Sequence, residues 1–225
     1  MLSRLLSKLR SSGPPKAAAR NGYAPPRRST AYPVPEPRRS NGLRLFFETI
    51  PRTDGLQILD LGGLTEGNIN FLGGLGGTIH AVDLLGSFDQ MQRELADRPL
   101  DSHAAHGFVN DFLNFPRNQF DAILAWDTLE FLETDVLHLA IPRIMEILRP
   151  GGGLLTFFHT EGRGATVPVF RYEIEQIDRL RIEAKGSREL PNAFNNRSLE
   201  RLFQDFGSVK FFLTQDSLRE VILVR

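Results

Sequence analysis

Asp60 and Asp83 lie 23 positions apart, each closing a run of apolar residues, and the first is followed at once by Gly62 and Gly63. An acid at a strand tip followed by glycines lets a ligand approach bare backbone, and the amides opening the next helix can meet an anionic group. A carboxylate at the tip of the following strand can accept both hydroxyls of a ribose. Further along stand Asp111-Phe112, Trp126-Asp127, Glu130, His159 and Glu161. Of these, Asp127, Glu130, His159 and Glu161 are candidate proton acceptors for an oxygen or nitrogen nucleophile, with Asp127 and His159 the leading pair. The chain has no Cys, which excludes thiol nucleophiles, thiolate-bound metals and disulfides. His103 and His106 occupy a polar connector, and no His/carboxylate spacing makes a metal site.

These residues need a scaffold that brings strand tips together. Apolar runs at 57–61, 78–84, 107–112, 120–126 and 153–158 read as strands, and 43–50, 68–75, 88–97 and 135–148 read as helices between them. Strands alternating with helices imply a parallel sheet covered on both faces, which suits uniformly apolar segments such as Ala122-Ile123-Leu124-Ala125. In such a sheet ligands bind beyond the carboxyl ends of the strands. After a helix at 198–206, runs at 209–214 and 218–224 have hairpin spacing, so the last two strands are expected to be antiparallel. Residues 162–197 form an insertion, or lid, after the fifth strand, where loops at the ligand edge are expected to select the acceptor. Phe170, Tyr172, Ile174, Leu180 and Ile182 suggest a hairpin there, with a helix through Ile174, Ile177 and Leu180 as the alternative.

The formal charge of the 225 residues is zero, but its distribution is uneven. Residues 1–40 hold nine Lys/Arg and only Glu36 as an acid, leaving 18 bases and 26 acids for 41–225. The arm is therefore +8 and the folded part −8, which argues against nucleic-acid binding by the general surface of the latter. The Pro-rich stretch 11–40 lacks the large aliphatic residues needed to fold and is expected to be disordered. Ahead of it, Leu2, Leu5, Leu6 and Leu9 share a helical face among Arg4, Lys8 and Arg10, a pattern able to touch an anionic membrane or polyanion. The arm is Arg- and Ser-bearing and acid-poor like an organelle transit peptide, yet lacks the apolar core of a secretory signal. No window approaches the ~20 apolar residues of a membrane-spanning helix. A cytoplasmic location is expected.

From residue 41 to the end the chain resembles the class I S-adenosylmethionine-dependent methyltransferases, particularly the type 11 domains. The resemblance is carried by Ile58-Leu59-Asp60-Leu61-Gly62, Ala81-Val82-Asp83, 120–130 and Leu148-Arg149-Pro150-Gly151-Gly152 in that order. It implies an α/β, Rossmann-like, doubly wound sheet of seven strands in the order 3-2-1-4-5-7-6, the last strand antiparallel. It implies S-adenosyl-L-methionine as cofactor and a small-molecule or macromolecular methyl acceptor that the sequence does not identify. By resemblance, Asp60, Gly62 and Gly63 border the methionine part, Asp83 holds the ribose and Leu84 packs on the adenine. Asp111 accepts from the adenine amino group, Phe112 lines the ring, and Trp126 and Asp127 stand near the sulfonium. The glycine loop departs from the family pattern at Leu64 and Glu66, with Gly67 one position late. That departure suggests an alternative, a catalytically silent domain of the same fold used for binding. A third reading places the activity in the basic arm, and a dinucleotide oxidoreductase is a fourth.

Overall fold

A computed structural model describes residues 37–51, 55–96, 98–214 and 217–225. The amphipathic stretch and the Pro-rich arm up to residue 36 lie outside the described residues, and with them the membrane and polyanion expectations.

In chain order the elements are β1 (Arg38–Arg39), α1 (Asn41–Thr49), β2 (Gln57–Asp60), α2 (Glu66–Gly74), β3 (Thr78–Ala81) and α3 (Leu84–Leu95). There follow α4 (Ser102–Phe112), β4 (Phe120–Trp126), a short 3-10 turn (Thr128–Phe131), α5 (Thr134–Ile147) and β5 (Leu148–His159). The chain continues through β6 (Thr166–Gln176), β7 (Arg179–Glu189), α6 (Asn196–Leu202), β8 (Ser208–Leu213) and β9 (Leu218–Val224).

The main sheet runs β3-β2-β4-β5-β9-β8. The first four strands are parallel, and β9 pairs antiparallel with both β5 and β8. Every residue of β4 is buried, because the sheet is covered on both faces. Ile123 and Ala125 point into one core with Phe108 of α4, Ile144 of α5 and Leu199 of α6. Ala122, Leu124 and Trp126 point into the other, with Leu43 and Phe46 of α1. Period-two alternation thus sends successive side chains of one apolar run to opposite layers.

Residues 107–112, expected as a strand, are the last half of α4, so the main sheet has six strands among the described residues and β3 is the edge strand on that side. Asp101 caps this helix by accepting from Ala104 N at 2.8 Å. Ala105, Phe108, Val109 and Phe112 then recur at helical spacing and pack onto the core, which secures helix over strand.

The insertion is a hairpin, with β6 and β7 joined through Ile177 and Asp178. It belongs to a second, three-stranded sheet of order β1-β7-β6, in which Arg38 pairs with Leu180 and Arg39 with Arg179. Arg38 also lies over the Phe157 ring at 6.0 Å and 3.4 Å from the buried Glu220 carboxylate. The last residues of the expected arm are therefore part of the folded body rather than a solvated tail. Among the described residues no helix is long and apolar enough to cross a membrane.

Candidate functional site

The loop after β2 is organised around Asp60, which is fully buried. Its Oδ1 accepts from Trp126 Nε1 at 2.8 Å and from Gly62 N at 3.0 Å, and its Oδ2 accepts from Asn68 Nδ2 at 3.2 Å. Burial pushes the Asp60 carboxyl up to about 6, against the pull of these three donors. Asn68 stands in the first turn of α2, where Thr65 caps its amide at 3.1 Å. The same carboxamide donates to Tyr172 O at 3.2 Å and accepts from Ile174 N at 2.8 Å. One buried side chain therefore fastens the glycine loop to strand β6 of the insertion.

Two glycines have specific reasons to be there. A Cβ on Gly62 would collide with the Trp126 ring, and Gly63 has φ +79°, a left-handed conformation that side chains disfavour. Trp126 itself sits at φ +49°, an uncommon value for a bulky residue. Its indole is locked between the Asp60 carboxylate and the Tyr172 ring, stacked at 5.1 Å and 5°.

Across the loop, Asp83 caps α3, with Oδ1 accepting from Gly86 N at 2.9 Å. A cavity of about 380 Å³ opens at this carboxyl edge of the parallel strands, within the ~300–1,000 Å³ range of small-molecule clefts. The glycine loop from Gly62 to Thr65 forms one wall, and Asp83, Leu85, Gly86 and Asp89 a second. Trp126, Asp127 and Thr128 close its inner end, while Val169, Phe170, Arg171, Tyr172 and Lys185 of the insertion roof it.

Behind the inner end lies a buried set of titratable groups. Asp127 Oδ2 accepts from Phe170 N at 3.1 Å. Burial, then repulsion from Glu130, push its carboxyl up to about 7. Glu130 accepts from His159 N at 2.7 Å and pairs with His159 Nδ1 at 2.5 Å. Burial raises the Glu130 carboxyl, whereas burial opposes and the Glu130 contact promotes protonation of His159, which is raised on balance. The imidazole stacks on Phe170 at 5.9 Å and 12°. The Tyr172 hydroxyl is buried, faces Asp127 off good hydrogen-bond geometry, and is pushed well above its ordinary range by burial and by that acid.

Residues 30–209, most of the chain, match the methyltransferase domain family. The chain belongs to that family. A search of the curated proteins found no match. Among solved structures, the chain is similar to the 1,6-didemethyltoxoflavin-N1-methyltransferase of Burkholderia thailandensis, at 16% identity over 82% of this chain and 76% of that one, with a TM-score of 0.46. It is similar also to an S-adenosylmethionine-dependent methyltransferase from Mesorhizobium loti, at 13% identity over 80% and 96% of the two chains, with a TM-score of 0.48.

In this methyltransferase domain the cavity gathers Gly62, Gly63, Asp83, Trp126 and Asp127 on its walls, and Asp60 stands directly behind them. Leu84 points into the core, and its neighbour Leu85 supplies the apolar wall. Asp111 is exposed on α4 and Phe112 packs on Phe108 at 5.0 Å, so neither lies on the cavity wall. His159 is only 4% exposed and sits behind the wall, oriented by Glu130. Leu64 does line the cavity, whereas Glu66 is exposed in the first turn of α2, off its wall. Among the described residues no group of His, Asp and Glu is arranged to hold a metal. Sequence reasoning missed Asn68 and Tyr172. Tyr172 reads as one more apolar strand residue, and an asparagine two residues into a helix looks like a turn or cap residue; only the hairpin's placement gives either a role.

Proposed function

We propose that the chain binds S-adenosylmethionine in the cavity between the glycine loop and Asp83, and methylates an oxygen or nitrogen acceptor admitted beneath the β6–β7 hairpin. The observation that carries this reading is the convergence of bare loop backbone, Asp83 and Asp127 on one 380 Å³ cavity at the carboxyl edge of the strands. The residues present fit the cofactor. Gly62 and Gly63 leave backbone accessible, Leu85 gives an apolar surface, and Asp83 uses Oδ1 for its helix cap, leaving Oδ2 for ribose hydroxyls. The cofactor supplies a methyl group on a cationic sulfur, whose charge is discharged on transfer.

The protein's own share is positioning, water exclusion and one proton transfer. Trp126 and Tyr172, stacked and held through Asp60 and Asn68, keep the loop and the roof in fixed relation. Asp127, on the wall and poised near neutrality, takes the proton of the acceptor O–H or N–H. Glu130 and His159 stand behind it, and their proton tunes the field that Asp127 feels.

The proposal is tested by release of S-adenosylhomocysteine in a screen of phenol, carboxylic acid and amine acceptors. Turnover is expected to rise with pH through about 7 as Asp127 ionises. Asp127→Asn, which keeps an oxygen for Phe170 N, is expected to lower the rate by about 10²-fold. A variant with the wild-type rate and pH profile removes Asp127 as the base.

A further inference from the structure

We propose that Arg171 and Lys185 form an oxyanion subsite that holds a carboxylate or phosphate group of the methyl acceptor. The proposal rests on the methyltransferase reading above and adds the chemical class of the substrate. Arg171 and Lys185 are the basic residues that the insertion contributes to the cavity wall.

They converge on a single atom. Glu183 Oε2 lies 3.7 Å from Arg171 Nη1 and 3.2 Å from Lys185 Nζ, so one carboxylate oxygen already reaches both. Glu183 is not on the cavity wall, and its side chain and that of Arg171 are about half exposed, at 52% and 53%. Exposed pairs of this kind are screened by water and contribute little, so a ligand oxyanion inside the cavity can replace Glu183. Two cations against one acid also leave a net positive charge at this spot. A guanidinium offers a planar two-pronged donor set matched to carboxylate and phosphate, and the ammonium adds a point charge.

Neighbouring cations of the hairpin are committed elsewhere. Arg181 pairs with Glu173 and Glu175, and Arg188 lies 2.6 Å from Asp89 of the cavity wall. The Arg188 pair also meets the charge of Asp89, leaving Asp83 and Asp127 as the acids facing the roof. The cavity is thus polar across its width: acids at the loop and strand tips, cations on the hairpin. An acceptor bearing an anionic group is drawn to the hairpin side, away from the acids.

The test uses the full chain, with the fluorescence of Trp126, its sole tryptophan and a wall residue, as readout. Benzoate and its neutral counterpart benzamide are titrated into protein with and without saturating S-adenosylhomocysteine. Benzoate is expected to bind at least about tenfold more tightly than benzamide. Arg171→Gln with Lys185→Gln is expected to erase that preference. Glu183→Gln, which removes the internal competitor, is expected to strengthen benzoate binding. Arg179→Gln, which removes a cation of the hairpin that is off the cavity wall, is expected to leave it unchanged. Equal affinity for benzoate and benzamide, no benzoate binding up to its solubility, or an equal loss in Arg179→Gln overturns the subsite. A second arm compares S-adenosylhomocysteine with 5′-methylthioadenosine, which lacks the amino-acid carboxylate. If the double variant weakens the former alone, the two cations serve the cofactor and the acceptor assignment falls. Failure of wild type to bind S-adenosylhomocysteine counts against the methyltransferase reading itself, whereas the benzoate arm without cofactor still reports on the subsite.

Discussion

Replacing Asp60 by alanine is expected to lower the unfolding free energy by about 3–5 kcal/mol, a large share of the ~5–15 kcal/mol typical of a domain. The buried carboxylate accepts from Trp126 Nε1, Gly62 N and Asn68 Nδ2, and alanine strands the two buried donors, on Trp126 and Asn68, while releasing Gly62 N at the cavity wall. Each buried donor left unpaired costs roughly 1–3 kcal/mol. Asp60→Asn retains one oxygen but turns an NH2 toward another donor. Asn68 cannot flip to relieve this, because its Oδ1 holds Ile174 N at 2.8 Å. Asparagine therefore falls between wild type and alanine. The carboxyl is raised from 3.8 to about 6 in the fold. A raised group contributes stability that is complete below its unfolded value and is lost as pH rises through its folded value. The alanine penalty is accordingly greatest below about pH 4, shrinks as pH rises from there to about 6 and levels off above it. Urea unfolding followed by Trp126 emission measures it, and a loss below about 1 kcal/mol would show that the buried donors find other partners.

Glu130→Ala is expected to cost a similar ~3–5 kcal/mol, because removing one member of a buried pair leaves the other uncompensated. His159 would lose the acceptor of both its backbone N–H and its Nδ1 in a site only 4% exposed. Glu130→Gln keeps one acceptor oxygen and costs less. The pH dependence has a definite sign. Asp127 is raised from 3.8 to about 7, Glu130 is raised from 4.5 and His159 from 6.5. All three contribute stability at low pH that is lost as pH rises through their folded values, so this cluster destabilises the fold progressively from about pH 4 through neutrality. Glu130→Gln removes one acid and relieves Asp127, so its stability is expected to decline less steeply than that of wild type over the same range. A steeper decline in the variant would contradict the assignment.

The parallel core was legible because strands buried on both faces are apolar throughout, as at 120–126, and because Pro51 and the Pro150-Gly151 pair punctuate it. That Asp60, Asp83 and the glycine loop stand together at the strand tips was legible from the same alternation of strands and helices. The segment 107–112 was misread because Phe108, Val109 and Phe112 suit either period, and only Ala105 and the Asp101 cap upstream settle it as helix. Leu84 and Leu85 are adjacent and equally apolar, so the sequence does not say which faces the cavity; the start of α3 at Leu84 turns one inward and the other to the wall. The hairpin of the roof was legible from Phe170, Tyr172, Ile174, Leu180 and Ile182, but not which residues of the loop it would touch. Asn68, Tyr172, Arg171 and Lys185 acquire their roles from the hairpin folding back over the loop more than 100 positions away in sequence, as in the Asn68–Ile174 hydrogen bond.

The most direct test of the central assignment is a calorimetric titration of the full chain with S-adenosylhomocysteine, comparing wild type with Asp83→Ser. Serine caps helices well, so this change keeps α3 in place while removing the carboxylate meant for the ribose. The expected result is binding of about micromolar order in wild type, weakened at least about tenfold in the variant. Unchanged affinity in Asp83→Ser, or no binding to wild type at millimolar ligand, would contradict the placement of the cofactor in this cavity.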